Sequence, residues 1–206
     1  MANVLTNPDG FFSELSVRDV NLLMPTGIVL IVATITAISL AMMFSATAPT
    51  LPEEAAAISG MSDMLPVICV ITGILVPFIM WYLYTGVFYV ISIFFGGEGS
   101  FKRCLEFVGY GFIPMIVSSL IGLVISLTMP PAIDFSSVDP KFIEQTLMQD
   151  PATQVSTIIG IPFLLWSANI CIFAVKHARN LSARNALITV GVPVGLHIID
   201  TTIKMI

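Results

Sequence analysis

The feature that most constrains this fold is a series of five long apolar stretches separated by short polar segments. They cover about residues 22–44, 65–95, 104–129, 155–176 and 185–206. Each is long enough to cross a bilayer, since a membrane-spanning helix needs about 20 mostly apolar residues. Because a backbone surrounded by lipid must satisfy its own hydrogen bonds, the sequence predicts an all-α polytopic membrane protein with a bundle of five transmembrane helices.

The composition supports this prediction and excludes whole classes of function. Hydrophobic residues make up 56% of the chain and charged residues 10%, and the mean hydropathy is +0.97. These values lie far outside the range of soluble globular proteins. Little chain remains outside the five stretches, so we expect a single membrane domain over 1–206 and no nucleic-acid partner.

The distribution of lysine and arginine predicts the orientation of the chain. Arg18 precedes the first span, Lys102 and Arg103 lie between the second and third, and three more basic residues lie between 176 and 184. The alternate loops contain Lys141 as their only basic residue, against seven acidic ones. Since short loops rich in positive charge stay in the cytoplasm, we expect the N-terminus inside and the C-terminus outside.

Residues 1–21 read as a cytoplasmic interfacial segment. A turn-forming run at 7–10 precedes Phe11, Phe12 and Leu15, which fall on one face of a short helix. A helix of this kind lies along the membrane surface. It serves either as a docking or membrane-sensing element or simply as the anchor of the first span.

A glycine-rich hinge joins the second and third spans. Its glycines permit positive φ angles and a tight reversal, Ser100 is placed to cap the third span, and Glu106 can reach a basic residue of the loop. The basic pair after the hinge is expected to face anionic head groups. The hinge is either a plain helical hairpin or, with the N-terminal helix and the loop from His177 to Arg184, a cytoplasmic contact surface. That candidate surface comprises Phe11, Phe12, Gly96, Gly97, Gly99, Lys102 and Arg103.

Prolines and glycines recur inside the spans. Pro77, Pro114, Pro162 and Pro193 each remove a backbone donor, so we expect kinked helices. The pair Gly191 and Gly195 forms a small-residue stripe that lets helices approach closely, and we predict that it packs against another helix.

Three polar side chains form a candidate intramembrane polar site: Asn169, His197 and Asp200. Charged groups at membrane depth are costly and are often functional. We expect Asp200 to form an ion pair with Lys204 one turn further on; the alternatives are a proton or ion site and a partner contact. At 1.5 Å per residue, Asn169 and Asp200 lie about 13 Å apart along the membrane normal.

No catalytic, cofactor or metal site is predicted, and we expect a non-enzymatic protein. Glu53 and Glu54 lack the arginine that a glutamate-type membrane protease places on the same helix. The hinge lacks the GK[ST] ending of a phosphate-binding loop. Cysteines 69, 104 and 171 have no metal-binding or redox spacing and are expected to be packed thiols.

Two segments carry a resemblance to a known family. The sequence FFGGEGSFKR at 94–103, followed by FVGYGFIP at 107–114, resembles the Yip family, named for its interaction with Ypt/Rab GTPases. The five spans and the NPxxFF pattern at 7–12 agree with this resemblance.

The resemblance implies a scaffold more directly than an activity. Eukaryotic members act in traffic from the ER to the Golgi, bind prenylated Rab GTPases through a long cytoplasmic N-terminus and form complexes with one another. About 21 residues precede the first span here, so we expect no Rab-type GTPase partner and a short prokaryotic-type member in a prokaryotic cell membrane. The predicted function is a scaffold or adaptor that interacts with lipids, with other membrane proteins or with itself. The alternative is a small transporter or channel that uses the kinked spans and the polar residues.

Overall fold

The computed structural model describes residues 2–47, 61–129 and 146–205, and these ranges contain helices and no strand. The all-α prediction is confirmed. In chain order the helices are α1 (Ala2–Thr6), α2 (Pro8–Ser16), α3 (Leu23–Thr47), α4 (Met61–Phe94), α5 (Phe101–Tyr110), α6 (Ile113–Thr128), α7 (Pro151–Ala178) and α8 (Ala183–Met205).

Four of these helices, α3, α4, α7 and α8, are each long and apolar enough to cross a membrane. The pair α5 and α6 meets the same test only when taken together, and its two helices meet at 46°. The chain therefore has the four or five spans of a multi-pass protein. The side of the membrane on which each end lies stays a prediction.

The predicted third span over 104–129 is not one helix. Gly111 and Phe112 close α5 with short-range bonds, since their amides donate to Val108 O at 2.9 Å and Gly109 O at 3.2 Å. Pro114 then lies in the first turn of α6, where a missing amide hydrogen leaves no bond unmade. The expected bend at Pro114 is therefore present, at 46°, but it occurs between two helices and not within a continuous one.

The other three prolines lie inside continuous helices, Pro77 in α4, Pro162 in α7 and Pro193 in α8. The kinks expected at these positions stay predictions. The expected packing role of Gly191 and Gly195 is wrong within this chain, since a Cβ built on either would meet no atom within 4 Å.

Close helix approach occurs elsewhere, at glycines of α4 and α5. A Cβ on Gly73 would lie 2.7 Å from the backbone nitrogen of Ala37, so α3 and α4 run in backbone contact there. A Cβ on Gly109 would lie 2.6 Å from Pro25 and 3.1 Å from Trp81. A side chain at either glycine would clash with a neighbouring helix.

The buried core is concentrated at one end of the bundle, which we call the hinge end. There the loop 95–100, the start of α3, helix α5 and the turn between α7 and α8 meet. All residues of α5 from Cys104 to Tyr110 are buried. The indole nitrogen of Trp81 donates to Leu105 O at 3.0 Å and joins α4 to α5.

Helices α1 and α2 are part of this core. Val4 and Phe12 are fully buried, and α2 packs on α7. Because both apolar side chains point into protein, the N-terminal segment is a covering layer of the hinge end.

Candidate functional site

The hinge loop is a tight reversal that depends on glycine at three positions for two different reasons. Gly96 and Gly99 have φ angles of +72° and +120°, as expected from the sequence. Gly97 does not have a positive φ, so that part of the expectation is wrong; a Cβ there would lie 2.8 Å from Ser92 O. Ser100 caps α5 as predicted, accepting from the Arg103 amide at 3.2 Å.

Arg179, at the end of α7, holds the hinge loop in place. Its Nε donates to Ser92 Oγ at 2.9 Å, and its two terminal nitrogens donate to the carbonyls of Gly97 and Gly99. The guanidinium carbon lies 4.1 Å from the centre of the Tyr89 ring. Only 2% of the Arg179 surface is exposed, so a buried cation fixes the loop through all three nitrogens.

We call these contacts of the Arg179 side chain with Ser92, Gly97 and Gly99 the Arg179 clamp. A backbone hydrogen bond reinforces it, because the Glu98 amide donates to Arg179 O at 2.9 Å. The sequence placed Arg179 in a loop expected to lie with the hinge at one surface, but it did not identify this side chain as the group that holds the hinge loop. Its partners lie 80 to 87 residues away along the chain, so no local pattern signals them.

A second polar cluster joins α5 to the segment that follows α2. Arg103 and Glu106 form the predicted ion pair at 3.0 Å, and the other carboxylate oxygen of Glu106 accepts from the Asn21 amide at 3.0 Å. Arg103 also donates to the carbonyls of Leu15 and Arg18. The expectation that Arg103 faces lipid head groups is wrong, since its guanidinium is bound to protein carbonyls and to a Glu106 side chain that is 1% exposed.

A third cluster ties α2 to α7. The carboxylate of Asp9 accepts from Lys176 Nζ at 2.6 Å and lies 2.7 Å from His177 Nε2. The hydrogen bonds from Lys176 and then from His177 lower the pKa of Asp9 below its ordinary value. Sequence reasoning assigned Asp9 only to a turn, because its partners are 167 and 168 residues further along.

The structure separates the residues of the predicted contact surface. Gly96, Gly99 and Lys102 are exposed at the hinge end. Phe12 is fully buried, with its ring 5.0 Å from that of Phe107, so its assignment to a contact surface is wrong. Phe11 is half-buried against Tyr110, with ring centres 5.1 Å apart.

Two exposed aromatic residues border the loop, and sequence reasoning did not single them out. Phe94 is 82% exposed and Phe101 36% exposed, one before and one after the glycines. The FF and SF pairs of the hinge motif contain them, so the motif itself was the available signal.

The three candidate polar residues of the spans do not form one site. Asn169 is exposed on α7, and Asp200 pairs with Lys204 at 3.2 Å, which confirms the predicted ion pair. His197 alone of the three lines a cavity of about 250 Å³ between α4, α5, α6, α7 and α8. Within the described residues, no three His, Cys, Asp or Glu side chains are grouped to hold a metal, and Glu53 and Glu54 lie outside them.

All three cysteine thiols are free, Cys104 and Cys171 buried and Cys69 half-buried. This confirms the prediction of packed thiols for Cys104 and Cys171.

Comparison with known proteins shows to which family the chain belongs. The Yip1 domain model matches residues 2–202. An uncharacterized protein of Methanocaldococcus jannaschii is 36% identical over 129 residues, which cover 63% of this chain and 89% of that protein. No solved structure matches it significantly. The resemblance carried by the hinge motif is confirmed: this chain belongs to the Yip1 domain family.

Proposed function

We propose that the protein is a non-enzymatic membrane scaffold or adaptor that binds other membrane proteins or lipid head groups through its hinge loop. We define the hinge surface as Phe94, Gly96, Glu98, Phe101 and Lys102, all of which are exposed. The observation that carries the proposal is the Arg179 clamp beneath this exposed loop.

A clamped loop is suited to recognition because its conformation is set before a partner arrives. Exposed loops are ordinarily mobile, and ordering them on binding costs about 0.5–1.5 kcal/mol for each side chain that is immobilised. Arg179 fixes the backbone on both sides of Glu98 through the carbonyls of Gly97 and Gly99. Preorganisation therefore favours contact at this loop over contact at an unstructured segment.

The chemistry of the hinge surface fits a contact at the membrane boundary. Phe94 supplies a large apolar group, Glu98 in the loop supplies a negative charge, and Lys102 in the first turn of α5 supplies a positive charge. Protein interfaces commonly combine an aromatic anchor with a polar rim. A basic residue close to lipid also attracts anionic head groups.

The proposal is tested by site-specific photo-cross-linking in native membranes. A photoreactive amino acid in place of Glu98 should give discrete adducts, whereas one in place of Leu187, a 54% exposed residue of α8, should give only diffuse lipid labelling. Phe94→Ala and Lys102→Ala should each weaken the adducts at position 98. Equal adduct patterns at positions 98 and 187, or adducts unaffected by both substitutions, would contradict the proposal.

A small transporter or channel is the second candidate, favoured by the position of His197 in the wall of a cavity inside the bundle. In that function His197 would contact the transported solute. The arrangement is incomplete, because neither Asn169 nor Asp200 lines the same cavity. This candidate requires flux that depends on His197 and Asp200.

A further inference from the structure

The cavity beside His197 is long and narrow. Its wall on α7 runs from Thr157 to Cys171, fourteen residues along the helix, which corresponds to about 21 Å at 1.5 Å per residue. Its volume is only about 250 Å³. A cavity of this extent, which we call the slot, can accommodate a single extended hydrocarbon chain.

The wall of the cavity is apolar for most of its length. Phe88, Phe112 and Leu164 contribute to it, and its hydroxyl groups on α7 are already bonded within the protein. Ser167 Oγ donates to Gly111 O at 2.6 Å, and Thr157 Oγ1 donates to Thr153 O at 2.8 Å. This part of the wall therefore suits an apolar ligand.

Two polar side chains interrupt this wall together. His197, which is exposed, and Thr201, which is half-buried, are one turn apart on α8 and both line the cavity, and neither has a side-chain hydrogen bond within the described residues. They lie about 21 and 27 Å along α8 from its start at Ala183, in the half of the bundle away from the hinge end. Because an unpaired polar group in hydrocarbon costs several kcal/mol, this pair calls for a hydrogen-bonding partner.

We infer that the cavity binds one acyl chain of a membrane phospholipid, with the ester group of that chain at His197 and Thr201 and its hydrocarbon tail directed toward Cys171. The Thr201 hydroxyl and the imidazole supply donors to the ester carbonyl, and the apolar wall covers the tail. This site goes beyond the proposed function, because it lies in the half of the bundle away from the hinge surface. Partner binding at the hinge surface does not depend on it, so the two proposals fail separately.

The test uses the full-length protein in liposomes that contain phosphatidylcholine with a diazirine and an alkyne on one acyl chain. After irradiation, adducts are mapped by peptide mass spectrometry. Residues that line the cavity on α7 and α8 should carry the main adducts. Adducts confined to outward-facing residues such as Ile79 or Leu83 of α4 would overturn the inference.

A pair of glycine substitutions isolates the cavity from the lipid-facing surface. The nearest contact of a Cβ on Gly160 is Ser118 Oγ at 3.7 Å, so Gly160→Leu can place its side chain in the slot without displacing backbone. Gly191→Leu makes the same change at an open helix position outside the cavity. Cavity adducts should fall about tenfold or more in Gly160→Leu, as for a sterically blocked site, and stay unchanged in Gly191→Leu.

Folding and head-group contacts are controlled separately. Leu164→Trp fills the slot from another position and replaces Gly160→Leu if that variant does not reach the wild-type elution profile. His197→Leu combined with Thr201→Val leaves the slot open and should lower cavity labelling about fivefold, the effect of losing one hydrogen bond. Undiminished cavity labelling in both slot-filling variants, or labelling by a diazirine fatty acid but not by the phospholipid, would overturn the inference.

Discussion

Removal of the Arg179 guanidinium should destabilise the hinge end more than any other single change in the turn that follows α7. Arg179→Met keeps the length of the side chain but loses the bonds to Ser92, Gly97 and Gly99 and the contact with Tyr89. Hydrogen bonds from a charged group contribute about 1.5–3 kcal/mol each, and a cation–π contact about 1 kcal/mol. Water reaches the freed glycine carbonyls in the variant, so we expect a net loss of about 3–5 kcal/mol, as for other broken buried ionic contacts.

The assay is thermal unfolding in detergent with Trp81 as the reporter. The chain has 2 tryptophans, so a Trp166→Phe background leaves Trp81, which is 2% exposed and bonded to α5 next to the hinge. A loss of 3 kcal/mol corresponds to a decrease of about 6–12 °C in Tm for a protein of this size. The Tm of Arg179→Lys should lie between those of Arg179→Met and the wild type, because one ammonium group cannot reproduce the planar set of donors of a guanidinium.

Arg184→Ala is the matched control, since Arg184 is an exposed arginine near the start of α8. Its effect should stay within about 0.5 kcal/mol, as for other exposed substitutions. If Arg179→Met and Arg184→Ala unfold at the same temperature, the clamp does not stabilise the hinge end.

Three further predictions use the same unfolding assay. Gly99→Ala should lower the free energy of unfolding by about 1–3 kcal/mol, because Gly99 has a φ of +120° and its added Cβ would be crowded against α7. Gly96→Ala should lower it by only about 1 kcal/mol, because no atom lies near its added Cβ. Equal losses in the two variants would contradict the assigned backbone. Phe12→Ala should lower the free energy of unfolding by about 3–5 kcal/mol, because it empties a site in the core. Val17→Ala should be nearly neutral, because Val17 is 86% exposed. If Phe12→Ala were equally mild, α2 would not be docked on the bundle. The folded-state pKa of Asp9 lies below its ordinary value of 3.8, so its stabilising effect is complete above that pH and is lost as the pH falls through the folded pKa. The Tm difference between wild type and Asp9→Asn should therefore persist at neutral pH and vanish only below pH 3.8, and a difference independent of pH would refute the ion pairs.

The sequence was sufficient for those features of the fold that depend on composition and local pattern. Apolar length predicts the spans, serine before α5 predicts its cap, and the spacing of Asp200 and Lys204 predicts their ion pair. Each of these is set within a few residues of chain, so no knowledge of tertiary structure is needed.

The hinge end was not predictable in the same way, because the contacts of Arg179, Asp9 and Asn21 that join its elements connect residues 80 or more positions apart. A phenylalanine such as Phe12 on an amphipathic helix has the same local pattern whether it faces lipid or protein. The structure places it against Phe107 because α5, although short and polar in its first turn, is buried by α3, α4 and α7. The stripe at Gly191 and Gly195 shows the reverse case, in which the pattern fits helix packing and nothing in the described chain packs there.

Flux through proteoliposomes tests the scaffold proposal most directly. The purified protein is reconstituted and assayed with protons, a panel of ions and small metabolites, with Asp200→Asn and His197→Leu as matched variants. A scaffold predicts that wild type and both variants match protein-free liposomes. Flux that the wild type supports and either variant abolishes would contradict the scaffold proposal and place the function in the core of the bundle.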